Sequence, residues 1–138
     1  MNSLSIVLAL NGALVLMVSM AAGLMLYFSI IGNQSPKDWH LLHAGGTSRG
    51  IMLIALAATI HLAALPEWQL WWAASLITLF VWTSVAAMLI RAVTGETGFG
   101  FTGSGANKLT FTLYAIGTVA VFVGFGWFVC GLFLGLQV

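Results

Sequence analysis

His43 is the side chain in this sequence best placed to do chemistry. It lies in a stretch, residues 39–66, that carries all three histidines (His40, His43 and His61) together with Arg49. At about 100° per residue of helix, Gly46, Thr47 and Gly50 fall within about 60° of His43 on one face. Ile54, Ala57 and Ala58 continue that face. One imidazole therefore stands at the edge of a shallow groove almost free of side chains. Such a groove either takes a flat ligand whose centre the ring nitrogen binds, or lets a neighbouring helix pack closely.

The other histidines narrow the chemistry. His40 and His43 are three residues apart and could share a metal, but no carboxylate or cysteine accompanies them, which argues against a protein-only zinc site. His61 is 18 residues beyond His43. It is on the same helical face but ~27 Å away, at the opposite membrane surface. The rest of the chain has no histidine, so a haem held by two histidines of one chain is disfavoured, whereas a haem with one histidine and an open sixth position fits. Arg49 lies ~120° around the helix from His43. A cation at this place in an apolar segment needs an anion: a haem propionate, an acidic substrate, a lipid phosphate or Glu96. Alternatively it reaches back to the headgroups. The three acidic residues, Asp38, Glu67 and Glu96, all fall in connections, so no paired-carboxylate catalysis is indicated. No serine or threonine has a nearby base that would complete a hydrolase triad.

The elements that must position these groups are membrane helices. Of 138 residues, 61% are hydrophobic and 5% charged, against about 25% charged in a soluble domain. The length allows about four spans of ~20 residues and no separate soluble domain. The expected fold is an all-α membrane protein, one transmembrane domain of four helices in an antiparallel bundle, over residues 4–31, 39–65, 69–92 and 108–136. The first apolar run lacks a basic leader and is too long for a signal-peptide core, so it reads as a retained span. Asn11 is polar inside it and is expected to bond a neighbouring helix or a ligand. Trp68, Trp71 and Trp72 form an interfacial belt. Cys130 reads as a small buried residue.

Residues 94–107 form the one long polar loop. Its GFGFTG run has the letters of a dinucleotide fingerprint but follows a membrane helix rather than a strand. It reads instead as flexible backbone lying close to another chain or a ligand. In the last helix Gly117, Gly124 and Gly131 recur every seven residues, and Gly131 with Gly135 makes a GxxxG. This is a stripe for close helix contact, within one chain or between chains. Lys37, Arg49, Arg91 and Lys108 all belong to the side of the first and third connections or to its helix ends. That makes those connections cytoplasmic and both termini external. A net charge of +1 gives no reason to expect nucleic acid.

The run W-H-L-L-H-A-G-G-T-S-R-G-I-M, residues 39–52, resembles the start of the second helix of the styrene oxide isomerase family. That pattern is a tryptophan, a histidine four residues on, a small residue with glycine, then glycine–methionine–methionine. The likeness continues without a gap into the third helix, where Trp82 falls on a family tryptophan. The early Asn-Gly of the first helix and the glycine-rich loop before the last helix are similar too.

The resemblance implies a multi-pass protein of the bacterial inner membrane that binds haem b between neighbouring subunits of a homotrimer. His43 would be the axial iron ligand, and Gly46, Thr47, Gly50 and Trp82 would line the cofactor. Ferric iron would act as a Lewis acid on an epoxide oxygen, and opening toward a carbocation followed by a 1,2-shift would give a carbonyl compound. Two catalytic positions are altered. Arg49 stands where the family has an asparagine, and Met88 where it has an active-site tyrosine. A cation beside a developing carbocation would raise the barrier, so the expected substrate is small and either apolar or weakly acidic. The chain also lacks the family's basic C-terminal tail and has a shorter first connection. Two other readings remain: a haem protein for electron transfer or gas binding without turnover, and a haem-free membrane subunit that binds a partner or lipid.

Overall fold

The computed structural model describes residues 3–137. Four long helices account for most of the chain: α1 (Ser3–Ile31), α2 (Lys37–Thr59), α3 (Glu67–Thr94) and α4 (Gly105–Gly135). All four are long and apolar enough to cross a membrane, as in an integral multi-pass protein. Among the described residues there is no strand. The bounds fall within three residues of the sequence expectation except at the end of α2. There the helix stops at Thr59 and passes through a single 3-10 turn, Ile60–Leu62, instead of running on to residue 65.

The cause of that early stop lies in α4. The Ala64 N–H donates to the Gly131 carbonyl at 2.9 Å, so the α2–α3 connection leaves the helix and lies directly on α4. Side chains at two positions would prevent this. A Cβ at Gly131 would sit 2.6 Å from Leu65, and one at Gly135 would sit 2.7 Å from the Leu62 carbonyl oxygen. Further along the stripe, Gly117 faces Thr83 and Phe80, and Gly124 faces Ile77 and the Ala73 carbonyl. The glycine stripe therefore makes contacts within the chain, packing α4 on α3 and on the connection before it. It does not offer a surface to a neighbouring copy.

Helices pack mainly in two pairs, α1 with α2 and α3 with α4, and α2 meets α3 between them. On α1 the buried positions are Leu4, Leu8, Gly12, Val15, Ser19, Ala22 and Ser29. They follow the three-and-four spacing of a helix seam. Opposite them are Leu42, Gly46, Gly50, Leu53, Leu56 and Ala57 of α2. Gly12 meets Gly50 and Ile54, Gly46 meets Ser19, and Gly23 meets His43. A further tie crosses from α3 to α1: the Trp82 indole N–H donates to Asn11 Oδ1 at 2.9 Å, and Asn11 Nδ2 donates to its own helix at Val7 O, 2.8 Å. Asn11 thus bonds a neighbouring helix, the first of the two roles expected of it. Cys130, expected to be buried, is exposed on α4.

The polar loop is ordered by its own chain. Gly95, at φ 75°, ends α3 in the left-handed region. Buried Asn107 then gathers the loop: its Oδ1 accepts from Gly98 N at 2.8 Å, and its Nδ2 donates to Gly100 O at 3.0 Å and Thr102 O at 2.8 Å. Ser104 caps α4 by accepting from Asn107 N and donates to Glu96 Oε1 at 2.7 Å. The expectation of flexible backbone waiting on another chain or a ligand gives way to a loop folded onto α4. Gly98 is in fact so close that a Cβ there would lie 2.6 Å from Thr110.

Candidate functional site

His43 is half-buried on the α2 face that meets α1. Its Nδ1 lies 2.8 Å from the Ser19 backbone oxygen. A carbonyl has no proton to give, so Nδ1 carries the hydrogen and donates it. In the neutral ring Nε2 is then the nitrogen with a free lone pair. No hydrogen bond reaches Nε2 among the described residues. This is the arrangement found behind most metal-ligating histidines: the far N–H is anchored on a carbonyl, which fixes the tautomer and ring plane and makes the other nitrogen more basic.

The seat for the ring comes from α1. Gly23 faces it so closely that a Cβ there would stand 3.0 Å from Nδ1 and 3.1 Å from Cε1. One turn earlier, the buried Ser19 hydroxyl donates to the His43 carbonyl and lies 2.7 Å from Thr47 Oγ1, while Thr47 Oγ1 reaches the same carbonyl at 2.7 Å. Two hydroxyl protons serve three close contacts, so two of the three are made at any moment. The result is a polar clasp between α1 and α2 at the level of the imidazole, inside an otherwise apolar interface.

Gly46, Thr47 and Gly50, read from spacing as the wall of a groove, are placed against α1. Gly46 and Gly50 are buried there and Thr47 joins the clasp. Trp82 is tied to Asn11, which is eight residues (~12 Å of helix) from Ser19. His40 and His61 are both exposed, in the first turn of α2 and in the 3-10 turn respectively. Ser19 and Gly23 do not stand out in the sequence taken alone. Their signal was the spacing of Gly12, Ser19 and Gly23, a small-residue stripe on α1 that complements Gly46 and Gly50 on α2.

The two altered positions, Arg49 and Met88, do come together. They lie on the other side of α2, where it meets α3. Arg49 is 12 residues past Lys37, the first residue of α2, which is ~18 Å into the span rather than at its mouth. Its side chain turns back one helical turn, and Nη1 donates to Gly45 O at 3.0 Å. The Met88 sulfur is 4.0 Å from Nη1, and the Phe80 ring centroid is 5.3 Å from the guanidinium carbon. Glu96 is held by Ser104 and so is not the partner of Arg49. The one salt bridge among the described residues joins Arg91 Nε to Asp38 at 2.6 Å, linking the last turn of α3 to the first turn of α2. No group of three or more His, Cys, Asp or Glu side chains able to hold a metal ion occurs among the described residues.

The chain is thus a four-helix membrane bundle with one half-buried histidine, its Nδ1–H on a carbonyl and its Nε2 without a hydrogen bond among the described residues. The family model for styrene oxide isomerase matches residues 4–133, nearly the whole chain, and the chain belongs to that family. A comparison with curated proteins found no match. Family membership makes this an isomerase-like membrane protein.

Proposed function

We propose that the protein is a haem b-dependent membrane isomerase that converts a small epoxide to its carbonyl isomer, and that His43 Nε2 would hold the iron. The observation that carries this reading is the bond from His43 Nδ1–H to the Ser19 carbonyl. The donor set fits a haem. A protein-only metal site needs several side chains that are not gathered here, whereas an iron porphyrin brings its own equatorial nitrogens and asks the protein for one imidazole. When bound, the group would supply a ferric Lewis acid for the epoxide oxygen.

The chain's own residues have separate tasks in this reading. Ser19 and Gly23 hold the ring at one angle, and the clasp of Ser19 with Thr47 fixes α1 against α2 beneath it. Gly46 and Gly50 act on the site by allowing that close approach, and Trp82 acts by tying α3 to α1. Arg49 and Met88 meet on the α3 side of α2, away from the His43 ring, and are proposed as residues that contact substrate at a haem held by a neighbouring copy. We further propose an antiparallel bundle assembled as a homotrimer in a bacterial inner membrane, with the first and third connections cytoplasmic. For the trimer and the membrane the support is family membership; for sidedness it is the placing of Lys37, Arg91 and Lys108.

An epoxide and its carbonyl product are isomers, so neither co-substrate nor redox partner is needed. The expected result with haem-loaded protein in lipid, given a panel of small epoxides, is a carbonyl product of unchanged mass formed without added reductant. Haem-loaded protein that isomerises none of the panel would remove the isomerase assignment and leave a haem carrier.

A further inference from the structure

We propose that Arg49 is an oxyanion site, between α2 and α3, for a ligand bearing a carboxylate. The guanidinium carries five N–H donors. One is used on Gly45 O, and another is directed at the Met88 sulfur, a weak acceptor at 4.0 Å. Nε is buried and has no partner. No carboxylate of the described residues satisfies it. Asp38 is held by Arg91 and Glu96 by Ser104, while Glu67 opens α3 at the other end of the bundle. A cation half-buried in a membrane span with most of its donors idle is costly, and an anion placed against it removes that cost.

The neighbouring residues hold the guanidinium in place. Gly45 leaves the space in which the guanidinium lies: a Cβ there would be 2.9 Å from Arg49 Nη1 and 2.8 Å from Met88 Sδ. Phe80 and buried Met88 flank the charge with apolar surface. The planar fork of an arginine matches a carboxylate with two parallel bonds. A lipid phosphate is the wrong occupant on depth. Arg49 starts ~18 Å along α2 and turns back by only one turn, ~5 Å, so it stays within a hydrocarbon layer ~30 Å thick. The carboxylate can come from a free amphiphilic acid or from a haem propionate. Only the second source rests on the haem reading above.

The test uses the full chain in lipid nanodiscs as wild type, R49Q and R49K, with octanoate and 1-octanol as probes. Thermal midpoint and haem per chain are measured in parallel. Octanoate, and not octanol, is expected to raise the midpoint of the wild type. R49Q should lose that response, and R49K should weaken it about tenfold, the equivalent of one charge-assisted hydrogen bond. Loss of the octanoate response at unchanged haem content identifies a free acid. Loss of haem in R49Q or R49K, with no octanoate response in the wild type, identifies a propionate. Both outcomes support the site. If R49Q fails to fold, R49K decides by the same two readouts. Octanoate response and haem content both indifferent to the Arg49 variants would overturn the proposal, leaving a guanidinium that anchors the helix. A wild type that holds no haem at all sinks the haem reading but leaves the octanoate arm intact.

Discussion

His43→Ala is expected to strip haem from the protein, while His40→Ala and His61→Ala keep it. The three histidines differ in what holds them. His43 is fixed by a 2.8 Å bond to α1 with Nε2 left bare, whereas His40 and His61 are exposed at the two ends of the α2 segment. Loss of the sole protein ligand should lower retained haem at least ~10-fold, the equivalent of ~1.4 kcal/mol and a modest figure for an iron–imidazole bond. Gly23→Ala should reproduce part of the loss without touching the ligand, because its Cβ would stand 3.0 Å from Nδ1 and turn the ring off its carbonyl. The readout is haem per chain after purification, with helicity checked by circular dichroism. Full haem in His43→Ala, or loss confined to His40→Ala, would move the ligand elsewhere.

Gly50→Leu is expected to break the α1–α2 pair. A Cβ at Gly50 would lie 2.7 Å from Leu16 Cγ and 2.9 Å from the Gly12 carbonyl oxygen. Facing it, Gly12 is as tight, with the Gly50 carbonyl oxygen and Ile54 each 2.8 Å from its own missing Cβ. Flexible side chains can yield at such distances, but a backbone oxygen moves only with its helix. Separating the helices here also opens the Ser19–Thr47 clasp one turn away. Overpacking alone costs about 1–3 kcal/mol, and the lost polar bonds add to it, so ~3 kcal/mol or more is expected. Gly126→Leu is the control, since nothing lies within 4 Å of a Cβ at Gly126. Denaturant or thermal unfolding in detergent should separate the two variants widely. Equal midpoints would show that the close glycine contact is not what holds α1 to α2.

Much of this was legible in the sequence because membrane helices are written in long apolar runs. The four spans can be placed from those runs, but not their exact ends: α3 runs on to Thr94 before Gly95, and α4 begins at Gly105 after Ser104. The end of α2 was not legible. Pro66 bars a regular helix through residue 65, but the stop at Thr59 comes with a hydrogen bond from Ala64 to Gly131, two residues far apart in the chain. The small residues after His43 allowed either a ligand groove or a close helix. Settling it took the matching stripe on α1, since a periodicity gives a face but not what covers it. The glycine-rich loop was misjudged for a related reason. Four of its glycines have positive φ, which suggests freedom, yet a single buried asparagine at its end, in the first turn of α4, takes up its polar groups. Arg49 belongs by charge pattern to the side of the first and third connections, and its helix puts it ~18 Å from the first residue of α2.

The absorption spectrum of the purified protein, before and after added imidazole, tests the central claim most directly. A histidine whose Nε2 meets no hydrogen-bond partner among the described residues calls, on the proposed reading, for a Soret band at one haem per chain. Imidazole should shift that band by filling the open position, and His43→Ala should abolish it. Protein expressed with ample haem that shows no Soret band, or a band indifferent to imidazole and retained in His43→Ala, would contradict the assignment of His43 as the ligand of an open-sited haem.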